Sequence, residues 1–168
     1  MEYNNKGNIT VQGIVISGRG LSSSRPKNLH NNIENITKKR LIPGSLNIIL
    51  LYPILLNKQT LSFNYDGRKK LIYPATIKNT EAFIYRWEKC PLHIIELMSS
   101  INLRNHLKLS DGSLVFVEIN NNVVHKLSKT KMVGWNLIWK YYESSYYSDS
   151  YHCKIRRYLS NLFGINQY

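Results

Sequence analysis

Ser45 and Asn47 stand two residues apart in the stretch Ile42-Pro43-Gly44-Ser45-Leu46-Asn47-Ile48. On a strand, that spacing sends both side chains out of one face and presents a hydroxyl and a carboxamide oxygen side by side. Neutral, hard oxygens of this kind suit Mg²⁺, which keeps several waters and completes its shell with nucleotide phosphates. A strand whose polar edge simply meets water shows the same pattern. Gly18-Arg19-Gly20 follows the β-branched run Ile9 to Ser17, and glycines let backbone N–H groups approach a phosphate closely. A plain turn reads the same way. Cys90 and Cys153 lie far apart with no second Cys or His at ligand spacing, which points to two reduced thiols rather than a zinc site or a disulfide.

Short strands must position these groups. Ile9 to Ser17 reads as a strand ending on a turn, and Ser45 to Leu51 as a second strand opened by Ile42-Pro43-Gly44. Between them, Leu29, Ile33 and Ile36 recur at helical spacing within Asn28 to Arg40. Thr60 to Tyr65 and Lys69 to Ile77 flank Asp66-Gly67, a strong hairpin signal. Ala82 to Trp87 is a further strand. Pro91 to Met98 fits either a helix or a strand, Leu103 to Leu109 a helical turn or two, and Ser113 to Ile119 alternates as a half-buried strand does. Several short strands with turns at close intervals make a barrel of residues 1–122. Residues 123–168, rich in aromatic and basic side chains, form a C-terminal extension that is helical at its end, with Ile155, Leu159 and Leu162 on one face.

Composition bounds the partners. The chain's 168 residues, 43% of them hydrophobic, supply one compact core. Lys+Arg 23 against Asp+Glu 10 gives a net charge of +13, which answers to a polyanion or to phosphorylated small molecules. The polar stretch Met1 to Asn8 lacks a signal peptide's apolar segment, and the longest apolar run, Leu46 to Leu56, is interrupted and short for a membrane span, so the expected location is the cytoplasm and no membrane partner is expected.

Three segments, in order, resemble the archaeal-type CTP-dependent riboflavin kinases. Gly13-Ile14-Val15-Ile16-Ser17-Gly18-Arg19-Gly20 is similar to that family's strand and glycine-rich nucleotide loop. Pro43-Gly44-Ser45-Leu46-Asn47-Ile48 matches its P-G-[TS]-L-N-[VIL] motif, the most specific of the three. Ile94 to Gly112 looks like its IIEIIAPxxLRExLxLKDGD stretch, with Pro74-Ala75-Thr76-Ile77 as a weaker match between. The resemblance implies a mainly β fold, a six-stranded cradle-loop barrel with short helices, and a kinase using CTP, with CDP as its product. It implies Mg²⁺ on Ser45 and Asn47. It implies nucleotide contacts from Gly18, Arg19, Gly20, Leu21, Ser22, Ser23 and Arg25 in the loop, and from Ile101, Asn102, Leu103 and Arg104 around the base and ribose. Glu96 falls on the family's acceptor-side glutamate. A buried carboxylate there accepts the alcohol's hydrogen bond, or takes its proton if its pKa is raised. Leu103, Leu107 and Leu109 also read as core, and Arg104 also as a surface charge near a helix end.

The sequence departs from the pattern in the glycine loop, at the flavin contact and in its extension, residues 123–168, which has no counterpart in the family's short archaeal members. Leu21-Ser22-Ser23-Ser24-Arg25 replaces the loop's acidic residue, later glycine and aromatic, and the family's R-T-H-Y-like flavin contact has become Trp87-Glu88-Lys89-Cys90. Glu88 then joins Glu96 as an expected acceptor contact, and the acceptor is riboflavin or another polyol, sugar or nucleoside. Lys140-Tyr141-Tyr142 and Arg156-Arg157-Tyr158 give a contrasting reading, a basic nucleic-acid-binding barrel without catalysis. Dense tyrosines in the extension also suit an oligomer contact.

Overall fold

The computed structural model describes residues 2–4, 7–18, 27–57, 61–142 and 146–167. Along the chain run β1 (Glu2–Asn4), β2 (Asn8–Ile16), α1 (Lys27–Thr37), β3 (Leu46–Leu50), β4 (Leu55–Leu56), β5 (Leu61–Tyr65), β6 (Arg68–Ile77), β7 (Thr80–Trp87) and β8 (Ile94–Met98). There follow α2 (Leu103–His106), β9 (Leu114–Asn120), β10 (Val124–His125), α3 (Lys129–Ile138) and α4 (Tyr151–Leu162). The fold is mainly β, as expected. Six strands close a ring in the order β2, β3, β8, β7, β6, β9 and back to β2, every pair antiparallel. Closure leaves no long free edge within the ring. β1 adds to β2 and β5 adds to β6.

Local sequence explains the corners. Asp66 and Gly67 both take positive φ, 53° and 65°, between the paired residues Tyr65 and Arg68, the geometry of a two-residue hairpin turn. Lys78 and Asn79 make a second such turn with φ of 46° and 62°, so β7 begins at Thr80 rather than at Ala82. The apolar stretch before Met98 resolves to a strand, because its partners β3 and β7 supply the ladder that an isolated segment lacks.

Alternation fills the barrel. Ile9, Val11 and Val15 from β2 meet Val115, Val117 and Ile119 from β9 in one cluster, with Ile48, Leu50, Ile84, Ile95 and Leu97 from the other walls. β3 and β8 are buried on both faces. Their outward residues are therefore covered by something else. α1 and β5 cover one part of the outer wall, where Leu29 and Ile33 pack with Phe83, Tyr85 and Met98. The extension covers another, where Tyr146 and Tyr147 pack against Ile49, Cys90 and Ile94.

Arg86 ties the extension to the barrel. The side chain is fully buried and donates from Nε to the carbonyl of Ile94 at 3.0 Å, from Nη2 to Leu92 O at 2.9 Å, and from Nη1 to Ile54 O at 3.1 Å and Gln167 Oε1 at 2.8 Å. Burial pushes its pKa below the usual guanidinium value. Lys89 N donates to Gln167 O and Gln167 N to Cys90 O, so the extension's end runs against the turn after β7. The buried face of α4 differs from the expected one. Cys153 and Ser160 are buried, with Trp139 Nε1 donating to Ser160 Oγ, while Ile155 and Leu162 are exposed at 38% and 63%. Packing against the Trp135 and Trp139 side won over the helix's own apolar stripe. Both cysteines are free and buried, and burial pushes the Cys90 thiol up to about 12. Among the described residues no helix is long and apolar enough to cross a membrane.

Candidate functional site

The outward face of β3 and β8 carries the polar groups singled out in the sequence. Asn47 pairs directly with Glu96 across the two strands, and Ser45 precedes β3 on the same side. Ser45 Oγ lies 3.5 Å from Asn47 Oδ1 and donates to Glu96 Oε2 at 3.3 Å. Asn47 and Glu96 are 7% and 8% exposed, so three oxygen-bearing side chains share one nearly dry strip. Hard oxygen donors in this number fit Mg²⁺, and the hydroxyl, carboxamide and carboxylate leave room for phosphate oxygens and water in its shell.

Two glycines shape the strip. Gly44 holds φ at 104°, a conformation that glycine adopts without steric cost, and this bend delivers Ser45 to the start of β3. Gly18, after β2, lies so close to the Asn47 carboxamide that a Cβ there would collide with it. A side chain at position 18 would thus have to push the Asn47 carboxamide out of its place in the strip. Arg19, Gly20, Leu21, Ser22, Ser23 and Arg25 lie outside the described residues.

The base of that loop is clamped. Arg104 Nη1 donates to Asp111 Oδ1 at 2.7 Å, Arg104 Nη2 to Ile16 O at 3.2 Å, and Ser17 N and Oγ both donate to Asp111 Oδ2. The Ser17 hydrogen bond, then Arg104, holds the Asp111 carboxyl below the usual carboxylate range. Arg104 is thus more than a surface charge near a helix end. Asp111 and Ser17 were missed because Asp111-Gly112 reads in sequence only as a turn.

Beside the strip, a cleft of about 160 Å³ is lined on one side by Ile42 to Leu46 and on the other by Ile101 to Arg104. Asn102 caps α2, accepting from Asn105 N at 3.0 Å, and Leu103 is core at 4% exposure, so its contribution to the cleft is mainly backbone. Glu88 does not join Glu96. It is exposed and lies with Trp87 and Lys89 on the wall of a second, larger cleft.

Tyr147 was not foreseen as a site residue. Its hydroxyl lies 3.4 Å from Asn47 Oδ1 and 3.5 Å from Glu96 Oε1, so its one proton is shared between two acceptors at long range. Burial, and then the Glu96 charge, push the phenol's pKa above its ordinary value, so the hydroxyl stays a donor. The only signal in sequence was the tyrosine density itself, which does not say which ring faces the barrel. Among known protein families no model matches the chain, and no curated protein matches it.

Proposed function

We propose that the chain is a Mg²⁺-dependent phosphotransferase that moves the γ-phosphoryl group of CTP to a primary alcohol. One observation carries this reading: segments distant in sequence, around Gly18, Ser45, Asn47, Glu96 and Arg104, meet on one strip and cleft of the barrel wall. That convergence is what a nucleotide site requires and what scattered surface polarity does not produce. The choice of CTP rests on the sequence resemblance.

In this reading the base and ribose lie in the cleft between Ile42 to Leu46 and Ile101 to Arg104. Ser45 and Asn47 would hold Mg²⁺, which when bound neutralises phosphate charge. The Arg104 and Asp111 pair anchors Ile16 and Ser17 at the end of β2, beside the strip. Glu96 accepts the hydrogen bond of the acceptor alcohol and aligns it. The alcohol oxygen forms the new P–O bond as the bridging P–O bond to CDP breaks, and the alcohol's proton leaves through Glu96. Tyr147 presents a hydroxyl to Glu96 and Asn47, where the acceptor's own hydroxyl is expected, so acceptor entry displaces it. Riboflavin is a poor acceptor in this account, because Trp87-Glu88-Lys89-Cys90 lacks the threonine that the resemblance makes a flavin contact.

The test is ³¹P NMR of CTP, Mg²⁺ and a panel of polyols, sugars, nucleosides and riboflavin. Formation of CDP with a new phosphomonoester supports the proposal, and no turnover with any alcohol sinks it. The nucleic-acid reading retains one specific observation. Tyr141, Tyr151 and Tyr158 are exposed at 79%, 74% and 66%, and Arg156 stacks 3.6 Å from the Tyr142 ring centroid.

A further inference from the structure

A cleft of about 540 Å³ separates the hairpin tip of β5 and β6 and the turn after β7 from α4 and the segment that follows it. Its lining joins Arg68, Glu88 and Lys89 of the barrel to Arg157, Asn161 and Asn166 of the extension. Five of its eleven lining residues come from the extension and six from the barrel.

Lys39 and Arg104 each have a carboxylate at 2.9 Å and 2.7 Å. Among the described residues, no carboxylate lies within ion-pair distance of Arg68, Lys89 or Arg157. Arg157 uses one nitrogen on the carbonyl of Tyr146, at 3.2 Å, of the five donors a guanidinium carries. A second observation points the same way. Asn166 is 6% exposed and donates from Nδ2 to Asn161 Oδ1 at 2.7 Å, but its own Oδ1 is buried without a hydrogen-bond partner among the described residues. An unmet buried acceptor is costly, and a hydroxyl donor brought by a ligand would satisfy it.

We propose that this cleft binds a small phosphomonoester that also carries hydroxyl groups, a polyol or sugar phosphate. Three cations without carboxylate partners suit a phosphate dianion, and arginine can grip it with two parallel N–H donors. Glu88 disfavours a second anionic group but accepts from hydroxyls, as does Asn166 Oδ1. The volume falls within the roughly 300–1,000 Å³ of small-molecule sites, and walls on both sides fit a compact ligand better than a polymer backbone. The proposal does not rest on the kinase reading, since neither Asn47 nor Glu96 lines this cleft.

The test is a titration of the full chain with glycerol 3-phosphate and glucose 6-phosphate, followed by ¹H–¹⁵N NMR, with glycerol, glucose and inorganic phosphate as controls. Expected are saturable shifts of the Asn161 and Asn166 side-chain amides and the Lys89 backbone amide, weaker binding of inorganic phosphate, and none of the uncharged alcohols. Arg68→Ala with Lys89→Gly, the glycine keeping the positive φ of 63° at that position, should weaken the phosphomonoesters by at least about tenfold while leaving distant resonances in place. Asn47→Ala should leave this binding unchanged. The proposal is overturned if no saturable shift appears, if the shifts gather around Ser45 and Asn47, if the double variant binds as the parent does, or if single-stranded RNA moves these resonances and the phosphomonoesters do not. Inorganic phosphate binding as tightly as glycerol 3-phosphate overturns the role given to the hydroxyls.

Discussion

The hydroxyl of Tyr147 lies 3.5 Å from Glu96 Oε1, so a residue of the extension closes over a carboxylate of the barrel wall. Tyr147→Phe keeps the ring and removes only the donor, and should lower stability by about 1 kcal/mol in urea unfolding at neutral pH. The pH dependence has a definite sign. A phenol whose folded pKa is raised contributes stability that is present below the ordinary tyrosine value of about 10 and lost as pH rises toward the folded value. The parent should therefore lose stability above that pH more steeply than Tyr147→Phe. Parallel curves would show that the phenol is not held in the protonated form.

Asp111 gives the opposite sign at the acid end. Its folded pKa is lowered, by Ser17 first and Arg104 second, so its contribution is present above the ordinary carboxylate range and is lost as pH falls through the folded value. Arg104 and Asp111 are 36% and 49% exposed, so the stability difference between the parent and Asp111→Asn should stay under about 1 kcal/mol near neutrality and vanish in acid. A difference that grew on acidification would contradict the clamp.

Arg86 is the buried joint between barrel and extension. Arg86→Ala removes the guanidinium donors to the carbonyls of Ile54, Leu92 and Ile94 and to Gln167 Oε1, which keeps Leu56 N at 3.3 Å, and should cost about 3–5 kcal/mol in denaturant unfolding. A loss below about 1 kcal/mol would mean that water replaces the guanidinium at no cost.

Much of the frame was legible because it is local. Asp66-Gly67 specified its turn, and the two-residue spacing of Ser45 and Asn47 put both on one face of the wall. Long-range pairing decided the rest. Nothing near Glu96 in sequence says that Asn47 stands opposite it, and the resemblance alone brought the two into one site. The β6 to β7 turn at Lys78 and Asn79 lacks glycine and carried no strong turn signal. In α4 the apolar residues Ile155 and Leu162 suggested the wrong buried face, since Trp139 draws in Ser160 through a hydrogen bond that periodicity does not register. Arg86 read as one cation among many, because its acceptors are backbone carbonyls and a glutamine at the far end of the chain.

Ser45→Ala and Asn47→Ala should each abolish Mg²⁺-dependent turnover while leaving the unfolding transition close to that of the parent. Both sit on the outer strip, and the loss of one of few protein ligands removes several kcal/mol of transition-state charge stabilisation. Assays across a Mg²⁺ series check this. Near-parent turnover with unchanged Mg²⁺ dependence in Asn47→Ala would place the metal elsewhere.

The most direct test of the central claim is thermal unfolding of the full chain against CTP, CDP, ATP, GTP and UTP, each with and without Mg²⁺. Ligand that binds only the folded state raises the midpoint according to its concentration over Kd. The account predicts a rise with CTP or CDP in Mg²⁺ that exceeds the rise with the other nucleotides and disappears in Asn47→Ala. An equal response to every nucleotide, or a CTP response that survives Asn47→Ala, would contradict it.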